Sequence, residues 1–370
     1  MTIFYRKVIF GLLFTGLPFL AAAQTNTNGS NANAIPTAVP FLTITPDSRS
    51  GAMGEAGVAL SPDANANYWN PSKLAFIESG DAASISYSPW LRSLVPDISL
   101  SYVSYAHKVD DRDAIGISMR YFNYGSVYQT DAQGESLGTF TPSEFSVDGS
   151  FARKFGENFS LGLTLRYIHS NLSNGSASTP TQGEANAVAT DVSMFYKNPT
   201  QEFGKDALFA FGVDISNIGS KISYSTDEQA QFLPANLKVG IANTLNLDEL
   251  NQFTFALDLN KLLVPSSGNS DVSVPAGVFQ SFSDVSLSDE FKEIYYSAGL
   301  EYSYNQLFSL RTGYYYQDPS KGGRNYLTLG VGVKYQQYGF DFSYLAASQQ
   351  SSPLANTLRF TLTANFGSTK

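Results

Sequence analysis

The sequence contains no cysteine and only two histidines, His107 and His169. Without cysteine there are no disulfides, thiolate metal sites or cysteine nucleophiles. Two histidines also leave little from which to build a metal centre, so we expect neither a metal nor another cofactor. The formal net charge of -9 and a pI near 4.8 argue against nucleic acid as a partner, because phosphates require a basic surface.

Long apolar runs are scarce, with one exception at the start of the chain. Arg6 and Lys7 precede an apolar run from Val8 to Leu20, and three alanines follow it. This pattern predicts a signal peptide over residues 1–23. No later stretch approaches the roughly 20 apolar residues that a membrane helix requires.

Aromatic residues, in contrast, are abundant, with 27 Phe and 22 Tyr. From Phe159 to Tyr167 every second residue is apolar, which is typical of a β-strand because successive side chains point to opposite faces. Similar segments recur through residues 81–370 and predict an all-β fold, a transmembrane outer-membrane β-barrel of about 14 antiparallel strands. The strands are expected at 82–90, 97–107, 113–124, 143–155, 159–167, 185–197, 207–217, 233–243, 252–263, 294–304, 307–317, 325–336, 338–348 and 356–366.

Charged residues within these strands fall on the parity opposite to the apolar ones, and a charge facing lipid would cost a few kcal/mol. We therefore place in the lumen Arg120, Arg166, Asp214, Asp258, Lys334, Asp341 and Arg359. Alternate links are long, as outer loops should be, at 125–142, 171–184, 218–232 and 264–293. This alternation predicts that both chain ends lie on the periplasmic side.

The stretch before the first strand breaks the alternation. Residues 24–40 are rich in Asn, Thr and Ala and predict a disordered extension. Residues 41–80 predict an N-terminal plug with short helices inside the barrel, where Asn70 supplies an N-cap and Pro71 the first helical position. Together with Trp69, these two residues are expected to fix the plug.

Two motifs in the plug suggest ligands but fail on spacing. The glycines of residues 51–57 follow GxxGxxG, which matches neither a dinucleotide nor a Walker loop, and they are better explained by close packing. Residues 63–67 begin like a calcium loop, but Tyr68 and Leu74 occupy the positions that require Gly and Glu. We therefore expect neither a phosphate site nor a calcium site here.

Catalysis has little support in the sequence. His107 and His169 end strands at opposite rims, so they cannot serve one site, and no G-x-S-x-G elbow is present. The tyrosines Tyr314 to Tyr316 are expected to belong to an aromatic girdle. We predict that the protein is not an enzyme.

The segment from Trp90 to Val95 places apolar residues in a predicted outer loop. It could fold back over the plug and close the barrel mouth, or contact a partner, since exposed apolar surface usually marks an interface. The two alternatives are compatible. We take Trp90, Leu91, Leu94 and Val95 as candidate partner-binding residues, supported by the long links 125–142, 171–184 and 264–293.

The run FLTITPDSRSGAMGEAGVALSPDANANYWNPSKLAF, followed by SYSPWLRSLVPDISLSY, resembles the PorV family of the type IX secretion system, within the wider FadL-like group of barrels. The resemblance implies a fourteen-stranded plugged barrel in the outer membrane of Bacteroidota. It also implies a role in binding the C-terminal signal domain of cargo at the translocon barrel (SprA/Sov type). The cargo would then pass to an attachment complex containing a PorU-type peptidase.

Two other functions stay open. A FadL-like transporter would use the plug to line a path for a hydrophobic small molecule, and Phe and Tyr would suit such a path equally well. Members of the PorV family have also been linked to lipid A deacylation, but the sequence offers no matching nucleophile constellation. In either case outer-membrane lipid is a contact of the barrel wall.

Overall fold

The computed structural model describes residues 34–90, 97–130, 133–172, 183–224, 229–266, 271–347 and 357–368. This part of the chain contains sixteen strands. Fourteen of them close into an antiparallel barrel, in which the first strand pairs with the last, and the fourth and fifth form a separate sheet. The strands in chain order are β1 (Ser79–Pro89), β2 (Ile98–Lys108), β3 (Asp113–Tyr124), β4 (Val127–Thr130), β5 (Ser136–Phe140), β6 (Ser143–Lys154), β7 (Phe159–Asn171), β8 (Glu184–Glu202), β9 (Lys205–Gly219), β10 (Asn236–Asn246), β11 (Asn251–Leu262), β12 (Ile294–Tyr304), β13 (Phe308–Tyr316), β14 (Asn325–Tyr335), β15 (Tyr338–Ala347) and β16 (Thr357–Ser368). The predicted all-β barrel is confirmed.

Burial alternates along the barrel strands as their sequences predict. In β7 the leucines Leu161, Leu163 and Leu165 are exposed on the lipid side, while Thr164 and Arg166 are buried in the lumen. The other charged residues assigned to the lumen have inward parity too. The period of two therefore separates a lipid-facing wall from a polar interior.

Three features of the strands differ from the expectation. A separate two-stranded sheet of β4 and β5 forms within the 125–142 link. Strands β8 and β9 are longer than predicted and continue beyond their neighbours to a turn at Phe203, which is 93% exposed. In β9 a bulge shifts the register at Asn217, where φ is 61° and the backbone N–H donates to Asp191 Oδ1 over 2.7 Å.

The plug contains two short α-helices, α1 (Ser48–Ala52) and α2 (Ala66–Trp69), and two 3₁₀ helices, Pro40–Thr43 and Pro71–Phe76. It runs along the lumen from one end to the other. Phe41 packs in one cluster with Ile98 and Ile168, near the outer ends of β2 and β7.

At the other end of the plug, Leu74 packs with Ala106 and Ala114 near the periplasmic ends of β2 and β3. The first described residues thus lie in the outer half of the barrel, where the Ala38 N–H donates to the Phe232 carbonyl over 2.9 Å. β16 ends on the periplasmic side, whereas residues 1–33 lie outside the described residues, so the periplasmic position of the N-terminal end stays a prediction.

The long link after β11 carries two more helices, α3 (Val274–Gln280) and α4 (Leu287–Lys292). A 3₁₀ helix, Pro319–Lys321, connects β13 and β14 at the same end. None of the helices in the described ranges is long and apolar enough to cross a membrane.

Candidate functional site

Asn70 fixes the plug to the barrel wall. Its side-chain amide donates to the Val58 carbonyl over 3.1 Å and to the Met194 carbonyl of β8 over 2.9 Å. Its Oδ1 accepts hydrogen bonds from the backbone N–H and the hydroxyl of Ser72, and Pro71 begins the 3₁₀ helix. Asn70 is fully buried, so one side chain caps a helix and joins two parts of the lumen.

Trp69 holds a second part of the plug. Its indole N–H donates to Asp47 Oδ1 over 2.6 Å, while the other oxygen of Asp47 accepts from the backbone N–H of Ser50 and caps α1. The Tyr68 and Trp69 rings meet edge to face with centroids 5.0 Å apart. The sequence-predicted residues Trp69, Asn70 and Pro71 therefore all lie at the junction of the plug helices.

Glycine allows the plug backbone to lie directly against its neighbours. A Cβ on Gly54 would come within 2.5 Å of the Ala298 carbonyl oxygen in β12, and φ of Gly54 is +66°. A Cβ on Gly57 would overlap the Trp69 ring, and one on Gly313 of β13 would overlap the backbone of Gly54. The packing interpretation of GxxGxxG is confirmed.

Charged groups also bind the plug to the wall. Arg49 of α1 lies 3.3 Å from Glu301 of β12, and Arg359 of β16 lies 3.0 Å from Glu55. Asp258 of β11 accepts hydrogen bonds from the backbone N–H groups of residues 57 and 58, over 2.7 and 2.9 Å. A buried charge needs such partners, so these lumen charges hold the plug.

The outer half of the lumen contains a cavity of about 300 Å³ between the plug and the mouth. Aromatic and polar groups share its lining. Tyr315 stacks on Tyr326 at 4.9 Å, and the Arg324 guanidinium lies 5.7 Å from the Tyr315 ring. The buried hydroxyl of Ser297 lines the cavity and has no hydrogen-bond partner in the described part of the chain. Tyr315 is thus a lumen residue, whereas the sequence suggested a membrane girdle for Tyr314 to Tyr316.

Trp90 follows the outer end of β1. Its ring meets Phe122 edge to face at 6.5 Å. It packs on the cluster containing Phe122 and on the cluster containing Tyr295 and Tyr315, which line opposite sides of the outer lumen. The other candidates of this loop, Leu91, Leu94 and Val95, lie outside the described residues.

The two histidines are far apart, as predicted. His107 Nδ1 lies 2.8 Å from Asp81 at the periplasmic end, and His169 Nδ1 lies 2.9 Å from Asn186 near the outer end. Both have the parity of the lipid-facing wall. They cannot act together on one substrate.

One group of carboxylates in the described residues has the spacing of a metal site: Asp284, Glu290 and Glu293. Lys261 Nζ lies 2.8 Å from Glu290 and 2.6 Å from Glu293, and Lys321 Nζ lies 2.8 Å from Glu293. Two ammonium groups therefore already compensate the acidic charge, and the group holds a loop in place.

Sequence reasoning found the inward charges but missed their partners in the plug. The parity of Asp258 and Glu301 places them in the lumen, yet nothing in the local sequence connects them to residues 57 and 58 or to Arg49. The sequence pattern did not predict the cavity in the outer half of the lumen either. Tyr295 and Tyr315 look like girdle tyrosines unless the parity of each strand is followed.

Solved structures share this architecture. The toluene transporter TbuX of Ralstonia pickettii is 12% identical, with 86% of this chain and 98% of that chain covered and a TM-score of 0.48. A TodX deltaS2S3 mutant monoaromatic hydrocarbon channel is 12% identical, covering 86% and 97%, with a TM-score of 0.50. A FadL homologue of Pseudomonas aeruginosa is 11% identical, covering 87% and 99%, at 0.43.

At such identities the likeness concerns the fold alone. A closed antiparallel barrel with an N-terminal plug and a lipid-facing apolar wall defines the class: a plugged β-barrel of the outer membrane. A comparison with curated protein sequences finds no match.

The family follows from the sequence. The model of the family described as type IX secretion system protein PorV matches residues 26–269, more than half of the chain. The protein therefore belongs to the PorV family and is an outer-membrane component of type IX secretion. This confirms the resemblance carried by the plug and by the first strands.

Proposed function

We propose that this protein binds the C-terminal signal domain of secreted cargo at the translocon barrel and passes it to the attachment complex. It does so without chemistry of its own. The observation that carries the proposal is the way the plug occupies the lumen, where it is held at Asn70 and Trp69, with Trp90 packed on two clusters of the outer half. A barrel closed in this way favours a role for its outer surface over passage through its centre.

The proposed docking surface begins at Trp90 and includes Leu91, Leu94 and Val95. Packing of the Trp90 ring between two clusters fixes the start of this loop. Three further apolar residues follow within the next five positions, and contiguous exposed apolar residues usually mark an interface. The proposed partners are the translocon barrel (SprA/Sov type), cargo signal domains and the PorU-type peptidase of the attachment complex.

Site-specific photo-crosslinking tests this proposal in cells. Crosslinkers at Leu91 and Leu94 should capture the translocon barrel or a cargo signal domain. A matched crosslinker at Phe203, exposed at the tip of the β8–β9 turn on the opposite side of the membrane, should capture neither.

Replacement of residues 90–95 by Gly and Ser should stop cargo reaching the surface while the barrel still assembles. Normal secretion by that variant, together with absence of capture, would remove this loop from the mechanism.

A second function is favoured by one observation, the cavity of about 300 Å³ with its aromatic lining. A FadL-like transporter of hydrophobic small molecules would need such a chamber. The solved structures with a similar barrel include proteins that are named as toluene transporters.

Mass spectrometry of the purified protein separates the two functions. Under transport, a small amphiphile should co-purify with the native protein and be lost from Ser297→Leu, which adds bulk to the cavity wall. Under cargo binding, Ser297→Leu should secrete normally, and Gly149→Ala on the lipid-facing wall serves as its control.

A further inference from the structure

The link between β11 and β12 exposes four large apolar side chains. Phe279, Phe282, Leu287 and Phe291 are 77, 49, 75 and 61% exposed, and we refer to them as the α3–α4 patch. Single exposed apolar residues are ordinary, but a cluster of them marks a surface that binds lipid or protein.

Lys261 shows on which side of the barrel the patch lies. It has the outward parity of its neighbour Leu259, which is 37% exposed, but Lys261 itself is only 8% exposed. Glu290 of α4 forms an ion pair with its ammonium group, and the Phe282 ring centroid lies 5.9 Å away. The α4 end of the link therefore covers the outer end of the lipid-facing wall, while Gly277 of α3 packs on the Phe232 ring at the mouth.

Most of the charges beside the patch are paired. Glu293 pairs with Lys261 and Lys321, and Lys292 pairs with Asp289 at 2.7 Å. Ion pairs of this kind leave little net charge to be desolvated where the patch meets an apolar phase. The segment can thus approach lipid at a lower cost than its number of carboxylates suggests.

The height of the patch follows from the strand register. Lys261 pairs with Ile294, and two residues further down Leu259 pairs with Tyr296, whose ring lies 6.2 Å from the ring of Tyr316. Two residues of a strand span about 6.6 Å. The patch therefore stands directly above an outward-facing tyrosine pair, the type of residue that marks the membrane interface.

We propose that the α3–α4 patch is an interfacial membrane anchor whose occupant is the lipid of the outer leaflet. Three observations support lipid: continuity with the lipid-facing wall, the position above the tyrosine pair, and paired charges around exposed aromatic side chains. This function goes beyond cargo binding. Under this proposal, the α3–α4 part of the 264–293 link does not belong to the docking loops. An anchor on this side of the barrel also sets the tilt of the barrel in the membrane.

The absence of native cysteine makes the test direct. Single cysteines replacing Phe279, Leu287 or Phe291 are spin-labelled in the purified full chain, reconstituted in phosphatidylcholine vesicles. Collision of the label with oxygen and with a water-soluble nickel chelate reports its depth. The references are Leu259→Cys on the lipid-facing wall and Gln280→Cys, an exposed polar neighbour on α3.

Labels at Leu287 and Phe291 are expected to lose most of the nickel collisions seen at Gln280 and to resemble Leu259. Collisions equal to those at Gln280 would overturn the proposal. Protection that appears only after other outer-membrane proteins are added would also overturn it, because the occupant would then be protein. Heat-dependent gel mobility confirms that each variant is folded, and no readout depends on cargo secretion.

Discussion

The two halves of the lumen are built differently. In the periplasmic half, plug residues such as Leu74 pack on alanines of β1, β2, β3 and β6, and glycines let the backbones touch. In the outer half, Tyr295 and Tyr315 line a cavity in which the Ser297 hydroxyl has no hydrogen-bond partner among the described residues. Small side chains thus produce a rigid seal, whereas large ones leave room.

This difference separates two tasks. A seal must resist opening, which favours close packing and fully paired polar groups. A mouth that receives a partner must be able to rearrange, and regions with fewer buried contacts do so at lower cost. We therefore expect substitutions in the periplasmic half to affect the stability of the barrel, and substitutions in the outer half to affect access to the cavity.

The largest effect is expected from Gly313→Ala, at mid-barrel, where the plug backbone lies against β13. The added Cβ would overlap the backbone of Met53 and Gly54, which cannot move as a flexible side chain could. Overpacking costs about 1–3 kcal/mol, and backbone neighbours place this case at the upper end. Gly149→Ala is the matched control, since its Cβ would meet nothing within 4 Å.

The measurement for this pair is the temperature of the unfolding shift in gel mobility, with sensitivity of cells to a large antibiotic as a second readout. Gly313→Ala should lower the first and raise the second. Equal behaviour of the two alanine variants would mean that the plug is not held by close packing.

Asn70→Ala should have an effect of comparable size. It removes two donors from buried carbonyls and the acceptor that caps Pro71–Phe76. Leaving buried groups unpaired costs about 1–3 kcal/mol each, so the unfolding temperature should fall clearly. Asn158→Ala, which removes a partly buried bond to Asn198 at a periplasmic turn, should change it little.

Trp90→Ala tests the outer half of the lumen. Because the ring is only partly buried, the loss of stability should stay below the 3–5 kcal/mol of a full core Trp truncation. Access should change more: Ser297→Cys, buried in the cavity, should react faster with an impermeant maleimide once the ring is absent. Unchanged labelling rates with and without Trp90 would show that another segment closes the mouth.

The smallest effect is expected for the pH dependence of stability at the link between β11 and β12. Burial disfavours the charged form of Glu293, but hydrogen bonds from Lys261, Lys321 and Ser266 outweigh it and hold the pKa of Glu293 below its ordinary value. Because the pKa of Glu293 is lowered, these bonds stabilise the loop at pH values above the ordinary Glu pKa of about 4.3. This stabilisation is lost as the pH falls further.

Lys261→Met should therefore lower the unfolding temperature at pH 7, and the difference from the native protein should shrink at pH values below this range. A difference that persists undiminished at low pH would show that Lys261 stabilises the loop through packing alone.

Much of the fold was predictable from local pattern. Strands such as β7 and β11 were located by alternation, and lumen residues such as Arg166 and Asp258 by parity. The extra length of β8 and β9 and the hairpin of β4 and β5 were not, because those segments alternate weakly outside the membrane band. Asn70 and Pro71 were found because a cap and a first-turn proline act within three residues of each other.

The sequence by itself determined the period of two, and with it the barrel, its lipid-facing wall and the plug that interrupts the pattern. The tertiary structure alone decided which groups meet: Arg49 with Glu301, Asp258 with the backbone after Gly57, and Lys261 with the helices that cover it. Such partners are far apart in the chain, and they meet only when the register of every strand is set and the barrel closes. The direction of the plug, from the outer half down to β1, depends on the same closure.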